Sequence, residues 1–198
     1  AEGLWRFPDT RAVYITSPDY YGRLADVAAI AAVCRSAGAL LLTDNAHGSH
    51  LGAFGLHPLA LGASMTADSL HKTLPVLTPG AMLHIGRAGD APAAERVAAK
   101  AAMALFGSTS PAFPVLASLD LARDWWARAG REAYRRTADA VAALAAVIPK
   151  AAPSPDSLRD PARLTLDAMA VGVSGPAAAA YFRAHGCEPE YADARYVV

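Results

Sequence analysis

Residues 12–44 decide the fold, and they read AVYITSPDYYGRLADVAAIAAVCRSAGALLLTD. Residues 12–16 form a short β-rich run, and residues 39–43 form an apolar run of strand length. Between them, apolar residues recur at helical spacing from about Leu24 to Ala37, which predicts an amphipathic helix. A strand, a helix and a strand joined by short links make a βαβ unit. The stretch therefore predicts an α/β fold with a parallel sheet covered by helices.

Similar patterns extend along the rest of the chain. They predict strands at residues 64–67, 81–85 and 163–167, and helices near residues 92–105, 114–128, 131–148 and 175–185. A Pro- and Ser-rich stretch at residues 151–157 indicates a linker. We therefore expect residues 1–150 to be part of a large domain. Residues 151–198 are expected to be the linker and the start of a smaller α+β domain.

Composition limits the class of function. Hydrophobic residues make up 54% of the 198 residues, and 18 basic side chains balance 18 acidic ones. The zero formal charge argues against nucleic-acid partners and against a polybasic membrane patch. The apolar runs are too short, and too often broken, to span a bilayer. Cys34 and Cys187 form no CxxC pair, so we expect neither a disulfide framework nor a zinc ribbon, and we expect a cytoplasmic protein.

Both chain ends indicate a partial sequence. The first residue is not Met, and the last three residues, Tyr196-Val197-Val198, resemble the start of a strand. We therefore expect the chain to be cut at both ends.

An acidic residue follows the second predicted strand, in the segment TDNAHGSH (43–50). In open parallel α/β sheets, ligands bind at the carboxyl edge of the strands, which is where Asp44 would lie. Its carboxylate could pair there with a cationic ring nitrogen, a metal or a ribose. Alternatively, Asp44 is a turn residue or the N-cap of a helix.

A lysine follows the next predicted strand, in the segment SLHKTLP (69–75). Lys72 is costly in such apolar surroundings unless it is exposed, paired or chemically modified. A desolvated lysine amine can form a Schiff base with an aldehyde. Ser69, His71 and Thr73 are neighbouring donors that could bind a phosphate. The alternative is an ordinary surface lysine.

A third polar cluster, STSP (108–111), precedes a predicted helix. Its hydroxyl groups suit an anion bound at a helix N-terminus, or they cap the helix. His47, His50 and His57 could suggest a metal, but no nearby carboxylate or cysteine completes a ligand set, so we expect no metal site. The chain also lacks the glycine-rich motifs that bind nucleotides.

Two of these segments together resemble a known enzyme family. Residues 41–50, LLTDNAHGSH, resemble the D-E-A-H-G-x-H segment of the Orn/Lys/Arg decarboxylase family, and residues 69–78, SLHKTLPVLT, resemble its S-x-H-K-T-L-P-x-L-T segment. Residues 16–22, TSPDYYG, look like its T-S-P-T-Y-x-G turn, and residues 108–120 look like its T-S-P…A-S-L-D segment. Asn45 stands where the family usually has Glu.

The resemblance implies a fold, a cofactor and a reaction. The fold is fold type I, the aspartate-aminotransferase-like architecture, here a truncated large domain with the start of a small α+β domain. The cofactor is pyridoxal 5′-phosphate (PLP), and the assembly is a homodimer or a multiple of dimers with shared active sites. The reaction is decarboxylation of lysine, ornithine or arginine to the amine and CO2. Another fold type I enzyme, an aminotransferase or an aldolase-type lyase, stays open as an alternative, as does a truncated, non-catalytic chain.

The resemblance also implies residue roles around the cofactor ring. Lys72 would bind the cofactor aldehyde covalently, and Asp44 would pair with the ring nitrogen. Ala46 would pack against one face of the ring, and His47 would lie near the ring hydroxyl.

Other roles concern the phosphate and the substrate. Ser69 and His71 would hold the phosphate, and Ser108 and Ser110 would reach the phosphate of the neighbouring subunit. Glu190 would approach the substrate amino acid. Family members have an earlier phosphate loop that this sequence lacks, so we expect the chain alone to bind PLP poorly.

Overall fold

The computed structural model describes residues 2–86, 93–107, 110–152 and 158–198. The helices in these ranges are α1 (Glu2–Arg6), α2 (Val27–Ser36), α3 (Leu70–Thr73), α4 (Ala93–Phe106), α5 (Phe113–Trp125), α6 (Arg131–Val147) and α7 (Gly175–Ala184). Short 3₁₀ turns lie at Ser49–Ala53, Pro58–Leu61 and Ala168–Val171, and a π-helical turn lies at Trp126–Gly130. Within the described ranges, no helix is both long enough and apolar enough to cross a membrane.

A four-stranded sheet lies in the first half of the chain, between residues 12 and 85. Its strands, in order across the sheet, are β1 (Ala12–Thr16), β2 (Leu40–Asp44), β3 (Met65–Asp68) and β4 (Met82–Ile85). The first three strands run parallel, as expected from the βαβ pattern, whereas β4 runs antiparallel to β3. The chain reverses because α3 is only one turn long and does not cross the sheet.

Helix α2 covers one face of this sheet. Asp26 caps it by accepting a hydrogen bond from the backbone N–H of Ala29 at 3.0 Å, so the helix begins after the predicted start. Val27, Ala31 and Cys34 recur on one side of the helix and are buried. This apolar stripe against β2 forms the main core of the sheet region.

A second, smaller core lies in the C-terminal part. Strands β5 (Leu166–Asp167) and β6 (Tyr196–Val197) pair antiparallel, and α7 packs beside them. Ala168, Ala179 and Val197 are buried together there.

The predicted strand at residues 163–167 is shorter in the structure, where only its last two residues pair. The Arg163 guanidinium donates to the backbone carbonyl of Tyr20 at 2.9 Å, and the Thr165 hydroxyl donates to that of Tyr21, also at 2.9 Å. These side chains bind the loop after β1, so residues 163–165 dock on that loop rather than extend the strand.

The α2–β2 core predicts a clear contrast between two leucines. Leu41, on β2, is 1% exposed, and Leu121, on α5, is 69% exposed. We expect Leu41→Ala to lower the free energy of unfolding by about 2–5 kcal/mol, because it removes core contacts and leaves a cavity. Leu121→Ala should change it by only about 0.5 kcal/mol. Urea unfolding followed by circular dichroism measures both, and equal effects would contradict this description of the core.

Candidate active site

Two loops leave the carboxyl edge of the sheet side by side. Strand β2 ends at Asp44, which lies opposite Ala67 in the parallel pairing with β3. Strand β3 ends one residue later, and the short helix α3 with Lys72 follows at once. Because parallel neighbours end at the same edge, the first two polar clusters of the sequence are brought together.

The closest contact between these loops joins Lys72 and His47. Lys72 Nζ lies 3.1 Å from His47 Nε2, and the lysine side chain is exposed. Burial, and then the positive charges of Lys72 and Arg163, hold the pKa of His47 below its usual value. A lowered pKa favours the neutral imidazole, which accepts a hydrogen bond from the lysine ammonium.

The two oxygens of the Asp44 carboxylate have different partners. Oδ1 accepts a hydrogen bond from the backbone N–H of Ala46 at 3.0 Å, which is the turn-forming role considered from the sequence. Oδ2 accepts a longer bond, 3.4 Å, from the hydroxyl of Tyr14 on β1. Burial and the negative charge of Asp44 raise the pKa of this tyrosine. One oxygen therefore shapes the loop, and the other is held only weakly.

The residues expected to hold a phosphate occupy several places. Ser69 stands at the N-cap position of α3, but its hydroxyl makes no capping hydrogen bond. His71 donates through Nδ1 to the backbone carbonyl of Gly80 at 2.9 Å. Ser110 lies in the segment before α5, and Ser108 lies outside the described residues.

Glu190 reaches the same region from the C-terminal part. Its carboxylate accepts a hydrogen bond from the Tyr20 hydroxyl at 3.3 Å and lies 3.7 Å from the Arg163 guanidinium. The Tyr20 ring stands edge-on to the His47 ring, with centroids 5.0 Å apart. Glu190 is therefore linked to the Lys72–His47 contact through one aromatic side chain.

A cavity of about 310 Å³ lies between the loop that carries Lys72 and the segments that carry Arg163 and Glu190. Its lining includes Lys72, Thr73, Arg163 and Glu190. The volume is at the lower end of the range for small-molecule sites. The sheet edge thus supplies one wall of the cavity, and the C-terminal part supplies the other.

A buried pair holds the two walls together. His50 Nε2 lies 2.8 Å from Asp160 Oδ1, and both side chains are buried. The Tyr134 ring stacks on the His50 imidazole with centroids 4.7 Å apart. Asp160 Oδ1 also accepts a hydrogen bond from the backbone N–H of Ala162. This pair anchors the segment that carries Arg163 to the loop after β2.

The sequence reasoning missed several of these residues. Tyr20 lies in the quoted TSPDYYG turn, but no role was assigned to it. The pairing of His50 with Asp160 spans 110 residues, and no sequence pattern indicates it. Asp68 follows a predicted strand as Asp44 does, so the same signal could have drawn attention to it. Among the described residues, no group of three or more His, Cys, Asp or Glu side chains could hold a metal ion.

Comparison with known proteins places this geometry in context. A family model described as Orn/Lys/Arg decarboxylase, major domain, matches residues 2–152. The chain is 38% identical over 125 residues to the uncharacterized protein YaaO of Bacillus subtilis (strain 168), and 34% identical over 128 residues to an arginine decarboxylase of Halalkalibacterium halodurans. These matches cover 62% and 63% of this chain but 25% of each relative, so the chain spans about a quarter of their length.

A solved structure has the same fold. The ureidoglycine-glyoxylate aminotransferase of Bacillus subtilis superimposes with a TM-score of 0.67 at 16% sequence identity, over 99% of this chain and 56% of that one. Together with the family match, this likeness confirms the expected α/β architecture of fold type I, which is aspartate-aminotransferase-like.

The Lys72–His47 contact makes a prediction about titration. Because the lysine charge lowers the pKa of His47, replacing it in Lys72→Met should raise that pKa. Titration of the His47 ring protons by NMR measures the change. The control is Lys100→Met on the exposed side of α4, which should leave the His47 titration unchanged. A His47 pKa that does not move in Lys72→Met would contradict the contact.

Proposed function

This chain belongs to the Orn/Lys/Arg decarboxylase family, and we propose that it carries the cofactor lysine of a PLP-dependent carboxy-lyase. The substrate is a basic amino acid, lysine, ornithine or arginine, and the products are the amine and CO2. One observation carries the proposal. Lys72 lies at the carboxyl edge of a parallel sheet, 3.1 Å from a His47 imidazole on the loop that Asp44 begins.

The described residues fit this cofactor. Among the described residues, the hydrogen bond to Asp44 Oδ2 is the 3.4 Å one from Tyr14, so this oxygen can accept a stronger one from a protonated ring nitrogen. His47 Nδ1 is buried and has no hydrogen-bond partner among the described residues, so a ring hydroxyl beside it would satisfy it. The Ser69 hydroxyl is not used as a helix cap and can donate to a phosphate.

Bound PLP supplies an electron-accepting ring that takes up the electron pair left by the departing carboxylate. The chain's own residues prepare that chemistry. His47 Nε2 accepts a hydrogen bond from Lys72 Nζ and so orients the amine that would attack the cofactor aldehyde. The Asp44 carboxylate would hold a proton at the ring nitrogen, and Ala46 would pack against one face of the ring.

The remaining roles concern anchoring and substrate selection. Ser69 and His71 would hold the phosphate, and Ser110, with Ser108 outside the described residues, would reach the phosphate of the neighbouring subunit. His71 already donates through Nδ1, so it can donate to a phosphate through Nε2 only when its ring is doubly protonated. Glu190, whose carboxylate lies 3.7 Å from the Arg163 guanidinium, would approach the substrate amino acid.

A homodimer with shared sites completes the proposed assembly. Large apolar side chains on α4 and α5, Leu105, Phe106 and Phe113, are mostly exposed in the isolated chain. Exposed apolar surface of this kind marks protein–protein contacts, which supports a second copy as the partner.

Selective capture of Lys72 tests the cofactor assignment. The lysines of the chain are Lys72, Lys100 and Lys150, and the last two are exposed controls. On treatment with excess PLP and then borohydride, Lys72 should be labelled at least about tenfold faster, because a cofactor bound beside it raises the effective concentration of the aldehyde. Peptide mass spectrometry gives each rate. Equal labelling rates at the three lysines would contradict the assignment of Lys72 as the cofactor lysine.

A product assay separates decarboxylation from its alternatives. We expect the chain alone to be inactive. Within a longer protein that supplies the earlier phosphate loop, carboxyl-labelled L-arginine, L-lysine or L-ornithine should give labelled CO2 and the amine, and Lys72→Ala should abolish this turnover. A keto acid product would instead favour the aminotransferase reaction, for which the solved structural neighbour is named. Selective Lys72 labelling without any turnover would favour a chain that acts only with a longer partner.

A further inference from the structure

Asp68 is a buried carboxylate at the end of β3 that the proposed function does not use. Its side chain is 0% exposed. Oδ1 accepts hydrogen bonds from the Asn45 side-chain amide and from His57 Nε2, the latter at 3.2 Å. Oδ2 accepts a hydrogen bond from the Thr66 hydroxyl at 2.7 Å. A charge taken out of water at this depth is tolerated only with such partners.

The orientation of His57 is fixed by the backbone. The N–H of Leu59 donates to His57 Nδ1 at 3.3 Å, so the ring proton lies on Nε2 and points to Asp68. His84 on β4 brings a second imidazole, with Nε2 3.7 Å from Asp68 Oδ2. The carboxylate therefore has neighbours on β3, on β4, on the segment before Pro58, and on the loop after β2.

Asp68 is held in its charged form. Burial by itself would raise its pKa, but the hydrogen bonds from His57 and Thr66, and the positive charge that either nearby imidazole brings when protonated, outweigh burial and lower it. Stability from this ionised group is present above the ordinary aspartate pKa and is lost as pH falls through the lowered value. At neutral pH, Asp68 is therefore a fixed acceptor for its neighbours.

The contact with Asn45 joins the two loops of the site. Asn45 directly follows Asp44 and is fully buried, and its backbone N–H donates to the carbonyl of Ala67 at 2.9 Å. Asp68 lies four residues before Lys72. The amide can point only its NH₂ at Asp68, since the opposite orientation would set two acceptors against each other.

We infer that Asp68 is the positioning residue of this site: by binding the Asn45 amide, it fixes the loop of Asp44 and His47 against the loop of Lys72. The contacts alone support the effect of Asp68 on the position of the two loops, and its effect on catalysis rests on the proposed function. If Asp68 only added stability, its replacement would lower the free energy of unfolding. It would leave the geometry between Lys72 and His47 unchanged in the molecules that remain folded.

Variants on each side of the contact separate these two roles. Asp68→Asn sets two amides against each other, and Asn45→Asp sets two carboxylates against each other. In either variant the His47 pKa should rise, because the loop separates from Lys72 and loses burial. The labelling of Lys72 relative to Lys100 should fall by about fivefold, the effect of roughly one lost hydrogen bond. The double variant, which exchanges the two side chains, should restore both measurements toward their original values.

Two further variants separate a loss of stability from a loss of loop positioning. His57→Gln weakens the Asp68 cluster without touching Asn45, so it should lower stability and leave the His47 titration and the labelling ratio unchanged. Asn45→Ala removes only the donor, and it serves if Asp68→Asn fails to fold. A folded Asn45→Ala or Asp68→Asn with an unchanged His47 pKa and labelling ratio would overturn the inference. The His47 titration needs no cofactor, so it tests the positioning even if Lys72 captures no PLP.

Discussion

The parallel pairing of β2 with β3 is the constraint on which the rest of the site depends. It sets Asp44 opposite Ala67, and the bond from the Asn45 N–H to the Ala67 carbonyl extends the pairing one step beyond the strand. Both strands therefore end at one edge, and two loops far apart in sequence leave it together. A shift in register by one residue would send every side chain of β2 to the opposite face and move the loop of His47 relative to Lys72.

The second wall of the cavity depends on contacts between distant parts of the chain. The segment with Arg163 docks on the loop after β1, and the His50–Asp160 pair secures it from the other side. The cavity consequently has mixed charge. Lys72 lines one side of it, and Arg163 and Glu190, whose charged groups lie 3.7 Å apart, line the other. A small-molecule site needs walls that hold their charged groups in fixed positions.

Local patterns predicted the sheet region well because they follow from residues close in sequence. The β1–α2–β2 unit, the strand before Lys72 and the helix α7 appear where periodicity and capping place them. The direction of β4 and the short β5 depend instead on what the chain does between elements. In the site, strand-end position indicated Asp44 and Lys72. Arg163 and the partner of His50 are set by tertiary docking, which no short pattern encodes.

One carboxylate in this structure has two tasks at once. Through one oxygen, Asp44 closes the turn that leads to His47, and through the other it accepts the longer bond from the Tyr14 hydroxyl. An acid with a longer arm would keep the charge but lose the compact ring that Asp forms with its own backbone two residues on. Aspartate and glutamate are therefore not equivalent at this position, and chain length there is constrained by loop shape as much as by reach.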